Sequence, residues 1–160
     1  ARRLVEAQVP LITVNWSKLN SDQWDTHQNN YGRLRKMLPP FDQSLAAFLE
    51  DLDDRALLDE TLVVCLGEFG RTATINKDAG RDHWPDCYSM LLAGAGIKRG
   101  NVYGASNRTA SYPVQNNVAP WDIAATMYHL MGIDPHNHLL NRQGQPIPIA
   151  RGRVVDDLLS

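Results

Sequence analysis

Residues 61–66 read TLVVCL and residues 88–93 read YSMLLA, two unbroken apolar runs closed by glycines at Gly67 and at Gly94-Ala95-Gly96. Short runs that are apolar on both faces and bounded by turn residues have the character of strands covered by helices in a parallel sheet. PLITVNW, at residues 10–16, has the same β-branched, two-sided character. Between these runs lie helical patterns. Residues 31–37 form a short one, Pro39 and Pro40 interrupt it, and residues 41–55 resume with Leu45, Phe48, Leu49 and Leu52 at helical spacing. Pro40 is expected in the first turn of the second helix, where its missing N–H costs little. Residues 121–131 read as a further helix, with Pro120 before it and Gly132 after it. Residues 98–117 read as short strands and turns, and the chain from residue 134 onward as a non-helical tail. Strand, helix, strand in succession imply right-handed crossovers, so the expected fold class is α/β, a mostly parallel sheet flanked by helices.

Composition bounds the alternatives. At 160 residues, 43% hydrophobic and 21% charged, the chain falls in the ordinary globular range, and its length suits one domain or one large piece of one. The formal net charge of −2, with 16 basic residues scattered along the chain, gives no electrostatic footprint for nucleic acid. No apolar run approaches the roughly 18 residues of a membrane span. Cys65 and Cys87 match no metal or redox spacing and read as free thiols. Residues 1–7 (ARRLVEA) read as the last turns of an amphipathic helix without an N-cap, which leads to the expectation that the chain is the C-terminal portion of a larger domain.

The chemistry gathers where expected strands end, the usual place for ligands in open α/β sheets. The polar stretch at residues 17–30 holds Trp24, Asp25 and His27, and the loop at residues 68–84 holds Glu68, Arg71, Asp82 and His83. Carboxylate oxygens and neutral imidazole nitrogens are ordinary ligands of zinc or manganese. Each pair alone has a plain structural reading: Asp25 as a loop cap, His27 as a surface imidazole, Asp82 as a salt-bridge partner of Arg81. Together, Asp25, His27, Glu68, Asp82 and His83 read as candidate metal ligands. Arg71 has two readings, a guanidinium for the anionic oxygens of a substrate or an ion pair with Glu68. Trp24 and Trp84 flank the candidate ligands and read as packing that fixes the loops. His129, His136 and His138 read as packing or solvated residues.

The strings WDTHQNN, LLDETLVVCLGEFGRT, GRDHWPDCYSMLLAGAGIKRG, VYGAS and DIAATMYHLMGID carry a family resemblance. The chain resembles bacterial sulfatase-like proteins grouped as domain of unknown function 1501, within the alkaline phosphatase superfamily. The resemblance implies an alkaline phosphatase-like fold and a divalent metal, with zinc first and calcium or manganese as alternatives. It also implies that Asp25, His27 and His83 match ligands of one metal, although the superfamily usually separates the first two by three residues rather than one. Glu68-Phe69 stands where an Asp-His pair usually serves a second metal, so a carboxylate is kept and an imidazole is replaced by a phenyl ring. The nucleophile and a further carboxylate come earlier in such chains, so the missing N-terminal part of the protein is expected to supply them. The expected function is metal-dependent hydrolysis of sulfate or phosphate esters, on a small-molecule or glycan substrate, with Arg71 steadying negative charge. The alternative is a non-catalytic sulfatase-like domain that binds anionic glycans or a protein partner. The same resemblance implies a periplasmic or exported location.

Overall fold

The computed structural model describes residues 1–16 and 24–160. Helix α1 spans Arg2–Glu6, α2 Asn30–Asp54 and α3 Pro120–Leu130. The strands are short: β1 Val63–Cys65, β2 Gly70–Arg71, β3 His83–Trp84, β4 Leu91–Ala93, β5 Ala105–Ser106, β6 Pro113–Gln115, β7 His138–Leu140 and β8 Pro146–Pro148. No helix among the described residues is long and apolar enough to cross a membrane.

The strands pair two by two, β1 with β4, β2 with β3, β5 with β6 and β7 with β8, and every pairing is antiparallel. The expected α/β architecture, a mostly parallel sheet flanked by helices in the alkaline phosphatase manner, is therefore overturned. The two runs that suggested it are strands, but Val63 faces Ala93 and Cys65 faces Leu91 in an antiparallel register. Parallel neighbours need a crossover, usually a helix. The chain between β1 and β4 has no helical periodicity and folds instead into the β2–β3 ladder and a tight turn, so it returns in the opposite direction. An apolar run does not report strand direction, and here it does not report full burial either, since Val63–Cys65 are half-buried and Leu91 is exposed. Residues 10–16 pair with no strand among the described residues, and Leu11 and Val14 are exposed. The loop reading of residues 17–30 falls in part on residues 17–23, which lie outside the described residues; residues 24–29 are non-helical.

The expected break at Pro39 and Pro40 is also absent, since α2 runs through both. Two prolines remove two helical N–H donors and ordinarily kink or end a helix. Here they lie on an exposed stretch, where water can serve the freed carbonyls, and the Ser44 hydroxyl donates back to the Pro40 carbonyl at 2.6 Å. The expected apolar positions Leu45, Phe48 and Leu49 are half-buried and Leu52 is fully buried, so the face was read correctly.

Helix α3 begins at Pro120, as its proline start suggests. The Asp122 carboxylate accepts from the Ala119 N–H at 2.9 Å, capping the helix, and from the Arg153 N–H at 3.0 Å, tying in the C-terminal segment. Ile123, Ala125 and Thr126 on α3 are buried, as are Ala150, Val155 and Leu158. The Thr126 hydroxyl donates to the Asp122 carbonyl at 2.8 Å and accepts from the Val155 N–H at 3.0 Å. Replacing Thr126 by Val keeps the shape and leaves that buried N–H without a partner, a loss of about 1–3 kcal/mol. Thermal unfolding is expected to show the midpoint lowered by roughly 2–4 °C for each kcal/mol; an unchanged midpoint would mean the Val155 N–H is not sealed from water.

Candidate metal centre

Three short pieces of chain converge: residues 24–27 ahead of α2, strand β2, and strand β3. In the β2–β3 ladder Arg71 lies opposite His83 and Gly70 opposite Trp84. Directly opposed residues of an antiparallel pair project to one face, so the guanidinium and the imidazole arrive together. Gly70 is needed there, because a Cβ would overlap the Cys87 carbonyl oxygen and crowd that of Trp84. Trp84 fixes β3 from behind, with Nε1 donating to the Ser111 carbonyl at 2.6 Å and its ring edge-on to Tyr112 at 5.6 Å. Trp24 does the same for the first piece, edge-on to Phe41 of α2 at 5.7 Å and donating to the Trp16 carbonyl at 2.9 Å. Both tryptophans are packing residues that hold the segments bearing the candidate ligands in place.

The first piece is stitched to the turn that precedes β3. The Arg81 N–H donates to the Thr26 carbonyl at 3.0 Å, and the N–H groups of Asn29 and Asn30 donate to the carbonyls of Asp78 and Ala79 at 3.0 and 2.8 Å. Gly80 backs onto the His27–Gln28 peptide so closely that any Cβ would overlap the His27 carbonyl. The Arg81 guanidinium is occupied by the carbonyls of Thr72 and Ala73 at 2.6 and 2.9 Å, so the plain reading of Asp82 as its salt-bridge partner does not hold.

These contacts bring donor atoms into a small triangle. His83 Nε2 lies 3.0 Å from Asp25 Oδ1, His27 Nε2 lies 3.1 Å from the same oxygen, and the two Nε2 atoms are 3.1 Å apart. A tetrahedral zinc with ligands at 2.0–2.1 Å holds neighbouring donors about 3.3–3.4 Å apart, within a few tenths of an ångström of these edges. Asp82 stands outside the triangle, its Oδ1 2.9 Å from His27 Nδ1. With the Nδ1 proton donated to Asp82, a neutral His27 turns a lone pair toward Asp25 Oδ1. That lone pair faces both Asp25 Oδ1 and His83 Nε2 at 3.1 Å, an arrangement in which a cation could take all three atoms as ligands. The carboxylate–histidine pair behind a ligand nitrogen is a recurrent metal-site arrangement.

Charge around the triangle is arranged for an ionised Asp25. Its carboxyl is held below the ordinary carboxylate range, first by the hydrogen bond from His83, against desolvation that acts the other way, and then by Arg71, whose Nη1 lies 2.6 Å from Oδ1. Asp82 is likewise held low by its bonds to His27 and then Asn76.

Of the six residues read from sequence, Asp25, His27 and His83 form one group with ligand atoms within 4.8 Å of one another. Asp82 reaches this group only through His27. Glu68 is exposed and makes no hydrogen bond or ion pair among the described residues. Arg71 pairs with Asp25 rather than with Glu68. Phe69 lies against His83, with ring centroids 4.4 Å apart. His129 faces solvent rather than packing among its apolar neighbours, and His136 and His138 are exposed as expected. Sequence reading missed Asn76 and Gly80, and gave Arg81 a different partner. The string NKDAG at residues 76–80 carried a usable signal, since Asn followed by Asp and Gly marks a side-chain-capped turn.

The lowered carboxylates give a signed expectation. A depressed acid stabilises the folded protein above its unfolded value of about 3.9 and loses that contribution as pH falls through the folded value. The thermal midpoint of metal-free protein is expected to fall below about pH 4, and more shallowly in an Asp25→Asn, Asp82→Asn double variant; identical pH profiles would remove these carboxylates from the stability of the site.

No curated protein and no solved structure matches the chain. One family profile does, over residues 1–159, and the chain therefore belongs to that family, described as Protein of unknown function (DUF1501).

Proposed function

We propose that the protein is a metal-dependent hydrolase of sulfate or phosphate esters, with Asp25, His27 and His83 as the ligands of a divalent cation. One observation carries this reading: two Nε2 atoms and one carboxylate oxygen form a triangle with edges of 3.0 to 3.1 Å while Asp82 already holds the far side of His27. Two imidazoles and a carboxylate favour zinc, with manganese next; calcium, which takes six to eight oxygens, suits this donor set least. Three protein ligands leave a position for water or substrate, as catalytic rather than structural zinc sites do. When bound, the cation would polarise a sulfuryl or phosphoryl oxygen and stabilise developing negative charge.

The chain's own groups would do the rest. Asp82 keeps the His27 proton on Nδ1 and so keeps Nε2 free to ligate. Arg71, beside Asp25, offers further N–H donors to the anionic oxygens of a small-molecule or glycan ester. The nucleophile is taken to lie elsewhere in the full-length protein. The sulfatase-like affinity rests on the donor set and on strings such as WDTHQNN and GRDHW, not on sheet topology. An exported location goes with the same reading.

Phe69 favours a second reading. Its ring lies against His83, and the Arg71 guanidinium sits 5.8 Å from its centroid, an aromatic and cationic patch suited to holding an anionic glycan without cleaving it.

Full-length protein should bind zinc, turn over aryl sulfate or aryl phosphate, and lose turnover on chelation. Asp25→Ala and His83→Ala should each weaken zinc binding about 100-fold or more, beyond the 10–100-fold typical of outer-sphere changes. Glycan binding that survives both substitutions without hydrolysis would favour the second reading, and a metal-free, inert protein contradicts the first.

A further inference from the structure

Asn76 belongs to no ligand set, yet its side chain makes more directed contacts than any group in the triangle. Its Nδ2 donates to the His27 carbonyl at 3.0 Å and to Asp82 Oδ1 at 3.0 Å. Its Oδ1 accepts from the N–H groups of Asp78 and Gly80 at 3.0 and 2.8 Å. An amide has two donor hydrogens and two acceptor lone pairs, so all four are used. A flipped amide would set NH₂ against two N–H groups and oxygen against a carbonyl and a carboxylate, so the orientation is fixed by the network.

The two ends of this amide do different work. The oxygen end closes the turn at residues 76–80, on which Gly80 approaches the His27–Gln28 peptide. The nitrogen end holds His27 twice, directly at its backbone carbonyl and indirectly through the carboxylate bonded to its ring. His27 is thereby fixed at its backbone and at Nδ1, and the remaining ring nitrogen, Nε2, is aimed at Asp25 and His83.

Building on the metal reading above, we propose that Asn76 is a positioning residue of the cation site, acting through Asp82 to set the tautomer and direction of His27. It touches neither cation nor substrate.

Asn76→Asp separates the two roles. The substituted side chain keeps an oxygen for the Asp78 and Gly80 N–H groups and loses both donations toward His27 and Asp82. Asn76→Ala removes all four bonds without adding charge. In titrations of metal-free full-length protein with zinc, both variants are expected to bind about 10–100-fold more weakly than wild type, the range for outer-sphere partners. The added carboxylate of Asn76→Asp would by itself attract a cation, so weaker binding by that variant is the demanding result. Ring ¹⁵N chemical shifts of His27 in metal-free protein supply a readout that a merely structural turn residue would not move. Wild type is expected to carry its proton on Nδ1, held by Asp82, and Asn76→Asp to show a mixture of Nδ1–H and Nε2–H forms. Zinc affinity and His27 tautomer both unchanged in Asn76→Asp would overturn the proposal. Wild-type protein that binds no zinc would instead remove the metal reading, and a shifted tautomer in Asn76→Asp would still support the positioning role.

Discussion

Three side chains, His27, His83 and Arg71, meet at one oxygen, Asp25 Oδ1, at 3.1, 3.0 and 2.6 Å. Asp25 and His83 lie 58 positions apart in sequence. That convergence sets what the surrounding backbone must do: the chain ahead of α2, the β2–β3 ladder and the turn between them have to be held within one side chain's length of each other. The His83 hydrogen bond and the Arg71 guanidinium both favour the ionised Asp25 carboxylate around which these segments gather.

The scaffold meets this demand with very little regular structure. Two-residue strands contribute little stability alone. Their positions are set by side chains that bond backbone and by glycines at which no Cβ fits. Arg81 spans the carbonyls of Thr72 and Ala73, Trp24 and Trp84 anchor the segments that carry Asp25 and His83, and Gly70 and Gly80 let backbone lie against backbone. Loops carried by such stitching are where binding residues commonly sit.

The candidate site was more legible in the sequence than the fold was. Asp25 with His27, and Asp82 with His83, were visible as clustered donors because metal chemistry restricts residue type whatever the backbone does. The strands at Val63–Cys65 and Leu91–Ala93 were visible as apolar runs, and Pro120 and the apolar face of α2 as helix signals. Strand direction was not visible, because it depends on the path between β1 and β4, and that path is set by long-range stitching rather than local propensity. The exposed segment at residues 10–16 and the continuous helix through Pro39 and Pro40 failed for related reasons: hydrophobicity and proline chemistry are local preferences that tertiary setting can override. Asn76 escaped notice because its role depends on contacts with His27 and Asp82, not on a recognised ligand type.

The division of labour within the cluster is the central point. Asp25, His27 and His83 present ligand atoms, while Asp82 stays one bond removed. Zinc-edge X-ray absorption of the full-length protein reconstituted with one equivalent of zinc tests this most directly. The donor triangle requires a first shell of nitrogen and oxygen at about 2.0–2.1 Å with outer-shell scattering from two imidazoles. A shell of oxygen alone, or scattering unchanged by His83→Ala, would place the cation somewhere other than the triangle on Asp25.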